Sequence, residues 1–272
     1  MSDIQPKRSS DATSLAPDLD LGRRFLNANL PPGRPLVVAV TGAHLYGFPS
    51  VDSDLDLKGI HLAPTRAVLG LAPTDQAFDR LADFAGVECD LTTQELGRAA
   101  SLLLKGNGNL LEQITSPFQL VDLPELAELR SLLPSVLSRR SHGHYRGYLI
   151  GMRREHRRDR RVKSLLYAYR VVLTGLHLLE TGRLEAHLPT LADAHGVVGP
   201  PESPLSELVA RKRARERIVL DDDPRIEDAH DALLDALASR LDDALSRSVL
   251  GAAPAHPAAL EDWVVRTRLA AL

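Results

Sequence analysis

The chain has 272 residues, a formal net charge of −3 and a hydrophobic fraction of 44%, which is enough for one large domain or two smaller ones with a substantial core. Its single cysteine, Cys89, excludes an intramolecular disulfide and a cysteine-rich zinc site. The nearly neutral total charge neither favours nor excludes a nucleic-acid partner, because phosphate binding depends on local clusters of charge.

No apolar run approaches the length that spans a bilayer, and the N-terminal segment lacks the apolar core of a signal peptide. Together with the lone cysteine, this predicts a soluble, cytoplasmic protein. The excess of arginine over lysine, with abundant alanine and leucine, is typical of a GC-rich bacterial genome. Residues 1–18 are polar, contain two prolines and are predicted to lack fixed structure.

The first predicted elements are a helix and a short buried strand. Apolar positions between Leu19 and Leu30 recur with helical spacing, and Pro31-Pro32-Gly33 ends the run. The continuous apolar run Val37–Val40 predicts a buried strand, which Thr41-Gly42-Ala43 breaks.

Two carboxylates open the next predicted strand. Asp54 and Asp56 stand two apart in an alternating run, so both side chains project from one face. Two like charges on one face repel each other, and a cation between them reverses that cost. Carboxylate oxygens at this separation suit Mg2+, which binds one or two carboxylates together with substrate phosphates. The strand is predicted to end at Ala63-Pro64.

The glycine turn before this strand is a candidate phosphate site. Because Gly42 has no Cβ, backbone N–H groups and the start of a following helical turn can approach an anion closely. A phosphate binder beside a metal binder indicates phosphoryl or nucleotidyl transfer.

These residues carry a family resemblance. Gly42-Ala43 followed by Asp54-x-Asp56 resembles the signature of the DNA polymerase beta-like nucleotidyltransferase superfamily. The longer string at 41–60, TGAHLYGFPSVDSDLDLKGI, resembles the family of predicted nucleotidyltransferases that includes the RNA ligase-associated, RNA-repair polymerase-like proteins. The matching positions are His44, Tyr46, Gly47, Ser53, Asp54, Asp56 and Gly59.

Ala43 departs from the pattern, because most of the superfamily has a serine there. The resemblance implies that a serine hydroxyl would contact the triphosphate. Gly42 and the backbone around Ala43, with Ser53 or His44, would have to replace that contact.

The resemblance implies an α/β N-terminal nucleotidyltransferase-fold sheet with helices, followed by an α-helical C-terminal domain. Val87–Leu91 predicts the next strand, and Thr92–Glu95 has the form of a capping box that starts a helix. Asp90 then matches the family's third acid, and Glu88, which shares its face, is the rival. Residues 65–86 are interpreted as a loop with one short element.

A turn-rich break follows this helix. Asn107 or Asn109 is predicted to cap the next helix. Glu112 lies in a segment that resembles a family motif. A structural role is favoured over a role in supporting the residues that contact the substrate.

Prolines at 117 and 124 mark the predicted boundary between domains. The predicted catalytic domain spans 19–120, and a helical domain spans 121–272, where nearly every segment shows helical spacing.

Within the helical half, Lys163 and Arg170 lie seven apart on a predicted helix that Gly182 ends. They resemble a family helix that lines the nucleotide side of the cleft. The alternative is a solvated basic face.

The most basic stretch runs from Arg139 to Lys163, with tyrosines interleaved as stacking surfaces. It could hold nucleic acid or a triphosphate, since arginine presents a fork suited to phosphate. Pairing with the acidic segment that begins at Asp221 explains the same charges without a ligand.

The sequence therefore predicts a nucleotidyltransferase that uses Mg2+ or Mn2+ to join the NMP part of an NTP to a hydroxyl, with an RNA 3′ end as the implied acceptor. Asp54, Asp56 and Asp90 are the predicted catalytic and metal-binding residues. The predicted nucleotide-binding residues are Gly42, Ala43, His44, Ser53, Lys163 and Arg170. A catalytically weak module that binds nucleotide or nucleic acid is the alternative, because Ala43 lacks the hydroxyl.

Overall fold

The computed structural model describes residues 16–71 and 75–272, and its framework is a four-stranded mixed sheet. The strands are β1 (Arg34–Val40), β2 (Leu55–Leu62), β3 (Ala77–Phe84) and β4 (Val87–Glu95). The order across the sheet is β1-β2-β4-β3, in which β2 and β4 are parallel and the other two pairs are antiparallel. The two strands that carry the predicted acids are therefore neighbours.

Helices surround the sheet and make up the second half of the chain. In the described ranges they are α1 (Leu19–Ala28), α2 (Gly42–Tyr46), α3 (Thr65–Leu69), α4 (Leu96–Leu104), α5 (Gly108–Thr115), α6 (Pro124–Val136), α7 (Ser141–Asp159), α8 (Val162–Thr181), α9 (Leu188–His195), α10 (Leu205–Ala214), α11 (Pro224–Arg247) and α12 (Pro257–Leu269). An α/β N-terminal half followed by a helical half confirms the predicted fold class. None of the helices in these ranges is long and apolar enough to cross a membrane.

The alternation of β2 and β4 assigns their side chains to two different faces. Leu55 and Leu57 on β2, with Leu91 on β4, are buried in an apolar cluster that includes Phe25 of α1. Burial of each such side chain contributes about 1.5–3 kcal/mol, which fixes the register of both strands. The residues between them, including Asp56, must then project from the opposite face.

A second and larger core joins the sheet to the helical half. It extends from Leu36 on β1 through the buried helix α8 to Trp263 on α12. Helix α8 ends where the sequence predicts, at a left-handed Gly182. Because this core includes residues on both sides of position 120, the domain boundary there stays a prediction.

Two predictions for the sheet were wrong. Strand β3 lies within 65–86, which was interpreted as a loop with one short element. This strand lies at the edge of the sheet, where half of its residues are exposed and none is buried, so it lacks the apolar run by which buried strands are recognised.

The predicted capping box at Thr92–Glu95 is also wrong, because these residues continue β4. Thr92 and Thr93 pair with Lys58 and Gly59 of β2, and β-branched residues favour such positions. Helix α4 starts only at Leu96, and the side chain of Glu95 caps it.

Other local predictions were confirmed. Asn107 caps α5 by accepting a hydrogen bond from the Leu110 N–H at 3.2 Å. The predicted first helix is also present, as α1, and the structure adds its cap: Asp18 accepts a hydrogen bond from the Leu21 N–H at 2.8 Å. The predicted lack of structure in residues 1–18 falls mainly on 1–15, which lie outside the described residues.

Candidate active site

The glycine turn between β1 and β2 lies directly against Asp56. Gly42 has a positive φ of 61°, and a Cβ placed on it would lie 1.8 Å from Asp56 Oδ2. The Thr41 N–H donates to the Asp56 carbonyl at 2.8 Å. Only glycine fits both the backbone conformation and the space here, so the turn and the carboxylate form one unit.

Asp56 and Asp90 are direct partners in the parallel register of β2 and β4. Burial raises the pKa of Asp56; Lys58 and Lys163 oppose this shift, whereas Asp90 and Asp54 add to it. The charges of Lys58, Lys163, Asp54 and Asp90 thus all affect the protonation of Asp56. A carboxylate whose charge is disfavoured by burial is stabilised in its ionised form by a nearby cation.

Lys58 provides a cation at this point. Its Nζ lies 2.6 Å from Asp90 Oδ2 and 3.1 Å from Thr92 Oγ1. Glu88, the rival third acid, is exposed. In the strand register its backbone lies opposite Asp83 of the edge strand β3. The structure therefore brings Asp90, rather than Glu88, beside Asp56.

The acids at this site fit a divalent cation only as a small set of ligands. Among the residues that the structure describes, no group of three or more His, Cys, Asp or Glu side chains is arranged to hold a metal ion. The ion pair between Lys58 and Asp90 explains this absence, because the ammonium group occupies the carboxylate that would be the third metal ligand. Asp54 and Asp56 provide the hard oxygen donors that suit Mg2+ with one or two carboxylates, so this smaller set fits.

A cleft of about 420 Å³ opens beside the glycine turn and the acids, a volume within the usual range for small-molecule sites. Its lining includes Gly42, Asp56 and Lys58 from the sheet side, Arg98, Asn107 and Asn109 from the α4–α5 side, and three tyrosines, Tyr46, Tyr148 and Tyr167. Tyr148 and Tyr167 also line an adjoining cavity of about 230 Å³ that includes Lys163. The two cavities thus share a wall of aromatic rings.

Arg170 lies behind this aromatic wall, with its side chain fully buried. Its guanidinium lies 3.9 Å from the centre of the Tyr46 ring and donates to Glu112. Glu112 also accepts a hydrogen bond from the Tyr46 hydroxyl at 2.7 Å. The expectation that Arg170 contacts a nucleotide is not supported by this position, which instead allows Arg170 and Glu112 to hold Tyr46.

Lys163 and Ser53, two of the predicted nucleotide-binding residues, meet at a third residue. Lys163 Nζ lies 2.7 Å from Glu216 Oε1, and the Ser53 hydroxyl donates to Glu216 Oε2 at 3.3 Å. Hydrogen bonds from Lys163, Lys212 and Ser50 oppose the effect of burial and lower the pKa of Glu216 to about 2. Glu216 is far away in the sequence and was not predicted as part of the site.

The remaining two predicted residues lie away from the cleft lining. Ala43 is 5% exposed and belongs to the large apolar core. His44 lines a separate cavity of about 380 Å³, together with residues such as Thr115 and His187. Their roles in nucleotide binding therefore stay predictions, without a contact to the cleft.

The basic stretch from Arg139 to Lys163 mostly faces acids of α11. Arg146 pairs with Asp242, and Arg153 pairs with Asp231 and Asp235. Farther along, Arg157 also reaches Asp231, while Arg160 reaches Asp222 and Glu227. This arrangement favours the intramolecular alternative for these four arginines.

Two arginines of the same stretch have a different environment. Arg154 and Arg158 are exposed, and within the described ranges neither has an ion-pair partner. Of the interleaved tyrosines, Tyr145 is fully buried, whereas Tyr148 is partly exposed at the cleft.

A mixed sheet with a glycine turn against an Asp-x-Asp strand, a third acid on the adjacent strand and a helical second half defines the polymerase beta-like nucleotidyltransferase class. The family model described as the RNA repair pathway DNA polymerase beta family matches residues 34–266. The chain therefore belongs to this family.

Two individual proteins are similar to the chain. It is 24% identical over 154 residues to the uncharacterized protein MJ0002 of Methanocaldococcus jannaschii. The matched region covers 56% of this chain and 63% of that relative's length, which is less than two thirds. A solved structure, of a nucleotidyltransferase-like protein from Exiguobacterium sibiricum 255-15, is 15% identical with a TM-score of 0.32, covering 93% of this chain and 76% of that one.

Proposed function

We propose that the protein transfers an NMP from an NTP to a hydroxyl acceptor, an RNA 3′ end, with release of pyrophosphate. The observation that carries this proposal is the register of Asp56 and Asp90 on parallel strands, beside a glycine turn that touches Asp56. The family description, which names an RNA repair pathway, supports the RNA acceptor.

The carboxylates have distinct roles in this proposal. Asp54 and Asp56, joined by Asp90 once Lys58 has moved away from it, are the residues that would hold Mg2+ or Mn2+, which would neutralise charge on the phosphates. Asp90 also accepts the proton of the acceptor hydroxyl, and Lys58 must first leave its carboxylate. The acceptor oxygen then bonds to the α-phosphorus, the bond from that phosphorus to the bridging oxygen breaks, and pyrophosphate leaves.

The cleft offers separate places for the two substrates. Tyr148 and Tyr167 present partly exposed rings on which a base can stack. Lys163, in the adjoining cavity, supplies a charge for the triphosphate. Arg98 and Asn109 are exposed at the α4–α5 side and are proposed to receive the acceptor strand.

The proposal is tested with NTPs labelled at the α-phosphate, incubated with Mg2+ and either an RNA pool or a cell lysate. We expect label to appear in RNA, with one pyrophosphate released per nucleotide joined. NTPs labelled at the γ-phosphate are the matched control and should leave RNA unlabelled. Label in a protein or small molecule instead of RNA would support NMP transfer but contradict RNA as the acceptor. Absence of α-label from every molecule would overturn the proposal.

A catalytically weak module that binds nucleotide or nucleic acid is the second candidate. The ion pair between Lys58 and Asp90 favours it, since it occupies the third acid, and so does the missing hydroxyl at Ala43. This candidate predicts that NTP and Mg2+ raise the melting temperature while no pyrophosphate is released.

A further inference from the structure

The carboxylate of Glu216 lies in a site made of two lysines and two serines. Its Oε1 binds Lys163 Nζ at 2.7 Å. Its Oε2 accepts hydrogen bonds from the hydroxyls of Ser50 at 2.8 Å and Ser53 at 3.3 Å, and from Lys212 Nζ. The carboxylate thus binds donors from three separate parts of the chain, one at Oε1 and three at Oε2.

Lys212 is the unusual member of this cluster. Its side chain is fully buried, and its ammonium contacts Glu216 and the Ser50 hydroxyl, the latter at 3.2 Å. Lysine is almost never fully buried unless it is paired with an anion. Two ammonium groups bind this single carboxylate, so the donors here match an anion with more charge than a carboxylate carries.

The cluster adjoins the proposed active site. Ser53 immediately precedes Asp54, and the charge of Lys163 interacts with both Asp54 and Asp56. A group bound by Ser53 and Lys163 would therefore lie next to the carboxylates of the site. Among the groups of an NTP, the terminal phosphates are the ones that combine high negative charge with several acceptor oxygens.

Glu216 lies on a short connection that can release its side chain. It is the middle residue of 215–217, between α10 and a segment fixed to the start of α8. That segment is held by hydrogen bonds from the Val162 N–H to the Ile218 carbonyl at 2.9 Å and from the Leu220 N–H to the Arg160 carbonyl at 2.8 Å. Rotation of one side chain would open the cluster while α10 and α11 stay in place.

We propose that Ser50, Ser53, Lys163 and Lys212 form a polyphosphate-binding subsite for the end of the NTP, and that Glu216 occupies it as an intramolecular competitor until the nucleotide displaces it. This inference takes its ligand, an NTP, from the proposed function. It adds two residues to the site, Lys212 and Ser50. The same carboxylate would return as pyrophosphate leaves.

The competitor is controlled by displacement rather than by protonation. The pKa of Glu216 is lowered to about 2, so the carboxylate stays charged at physiological pH. An intramolecular ligand reduces the apparent affinity in proportion to the fraction of molecules whose site is open. Removing its charge should therefore tighten the binding of polyphosphate, although the protein loses a native contact.

The test measures binding of inorganic tripolyphosphate to the full chain by isothermal titration calorimetry. Glu216→Gln should bind it about tenfold more tightly than the wild type if the wild-type site is closed in nine molecules of ten and the substitution opens it fully. Glu202→Gln, an exposed acid before α10, is the control with the same change of charge. Unchanged or weaker binding by Glu216→Gln would overturn the inference.

Two further variants keep the result interpretable. Lys212→Met, added to Glu216→Gln, should abolish the gain; a gain that persists would show that Lys212 is not part of the subsite and would refute the inference. If Glu216→Gln fails to fold, Glu216→Asp keeps the charge, shortens the reach and should still tighten binding; no increase in affinity would count against the inference.

Tripolyphosphate carries no nucleoside, so this binding does not depend on transfer. Tighter binding by Glu216→Gln without any NMP transfer would support the subsite and overturn the proposed function. Transfer with an unchanged tripolyphosphate affinity would support the function and overturn the subsite.

Discussion

The Lys58 ammonium lies 2.6 Å from the Asp90 carboxylate, across the pair of parallel strands that carries the predicted acids. The two side chains are 27% and 37% exposed, respectively. A pair with this much exposure contributes about 1 kcal/mol or less. A divalent cation could therefore replace Lys58 at small cost.

Lys58→Met should make the stability of the protein depend on Mg2+. Without metal, the variant leaves Asp90 and Asp56 with less compensating charge, and a loss of about 1 kcal/mol lowers the melting temperature by about 2–4 °C in a chain of this size class. Excess Mg2+ should restore most of this loss. Calorimetry with EDTA and with Mg2+ measures both values.

The control is Lys105→Met, an exposed lysine at the end of α4. Its melting temperature should respond to Mg2+ as the wild type does. An equal response of Lys58→Met and Lys105→Met to Mg2+ would contradict metal binding at these acids.

Asp54→Asn should abolish NMP transfer while leaving the fold intact or slightly more stable. Asp54 contributes to the raised pKa of Asp56, so removing its charge relieves repulsion in the metal-free protein. We expect transfer to fall by about 100-fold or more, since a bound metal stabilises the transition state by several kcal/mol. Asp52→Asn, two residues upstream and exposed, is the matched control. Wild-type turnover by Asp54→Asn in excess Mg2+ would contradict the metal-site assignment.

The local pattern predicted the sheet side of the site, because strand alternation and a glycine turn act over a few residues. The alternation that places Asp54 and Asp56 on one face also applies to Lys58, which sequence reasoning missed although it lies two residues further on. Asp90 was separated from Glu88 only by the strand register, which a single sequence does not contain.

The contacts between distant segments could not be predicted. Glu216 reaches Ser50 and Ser53 across more than 160 positions, and no short motif surrounds it. Arg170 was correctly placed on a helix, but one face of α8 could not be distinguished from another, because nearly the whole helix is buried. Packing on several sides removes the amphipathic pattern on which such predictions depend.

Glu112→Gln should destabilise the fold by about 3–5 kcal/mol, because it leaves the guanidinium of Arg170 buried and unpaired. In the described structure, Arg170 Nε and Nη2 already have no hydrogen-bond partner, so Glu112 is the acid on which this charge depends. Urea unfolding gives the free energy of unfolding.

A second substitution separates charge from packing at this position. Glu112→Gln combined with Arg170→Met should recover much of the loss, because no unpaired charge then remains. Glu128→Gln, an acid that is 57% exposed, should change the free energy of unfolding by less than about 0.5 kcal/mol. A loss below about 1 kcal/mol for Glu112→Gln would contradict the buried pair.

Glu216 should make the protein sensitive to acid. Its folded-state pKa of about 2 lies below the ordinary value of 4.5, so its contribution to stability is complete above pH 4.5 and is lost as the pH falls towards 2. Between about pH 6 and about pH 3.5 this loss amounts to about 1.4 kcal/mol. Urea unfolding should show the wild type losing that much more stability than Glu216→Gln; parallel losses would contradict the pKa of this carboxylate.

The basic stretch gives a test in which two pairs of arginines behave oppositely. Arg153 and Arg157 bind Asp231, so changing both to alanine should lower the free energy of unfolding by about 1–3 kcal/mol. Arg154 and Arg158 are exposed, and changing both should leave stability within about 0.5 kcal/mol.

RNA binding should respond to the exposed pair. If Arg154 and Arg158 contact the phosphates of a single strand, their replacement by alanine should weaken RNA binding and reduce the slope of log K against log salt by about 1.4, since each lost contact removes about 0.7. NTP affinity should not change, because both side chains lie outside the cleft lining. Fluorescence anisotropy with labelled RNA at several salt concentrations measures the slope. An unchanged slope in Arg154→Ala/Arg158→Ala would show that the acceptor does not lie along α7, and the charges of this helix would then serve its contact with α11.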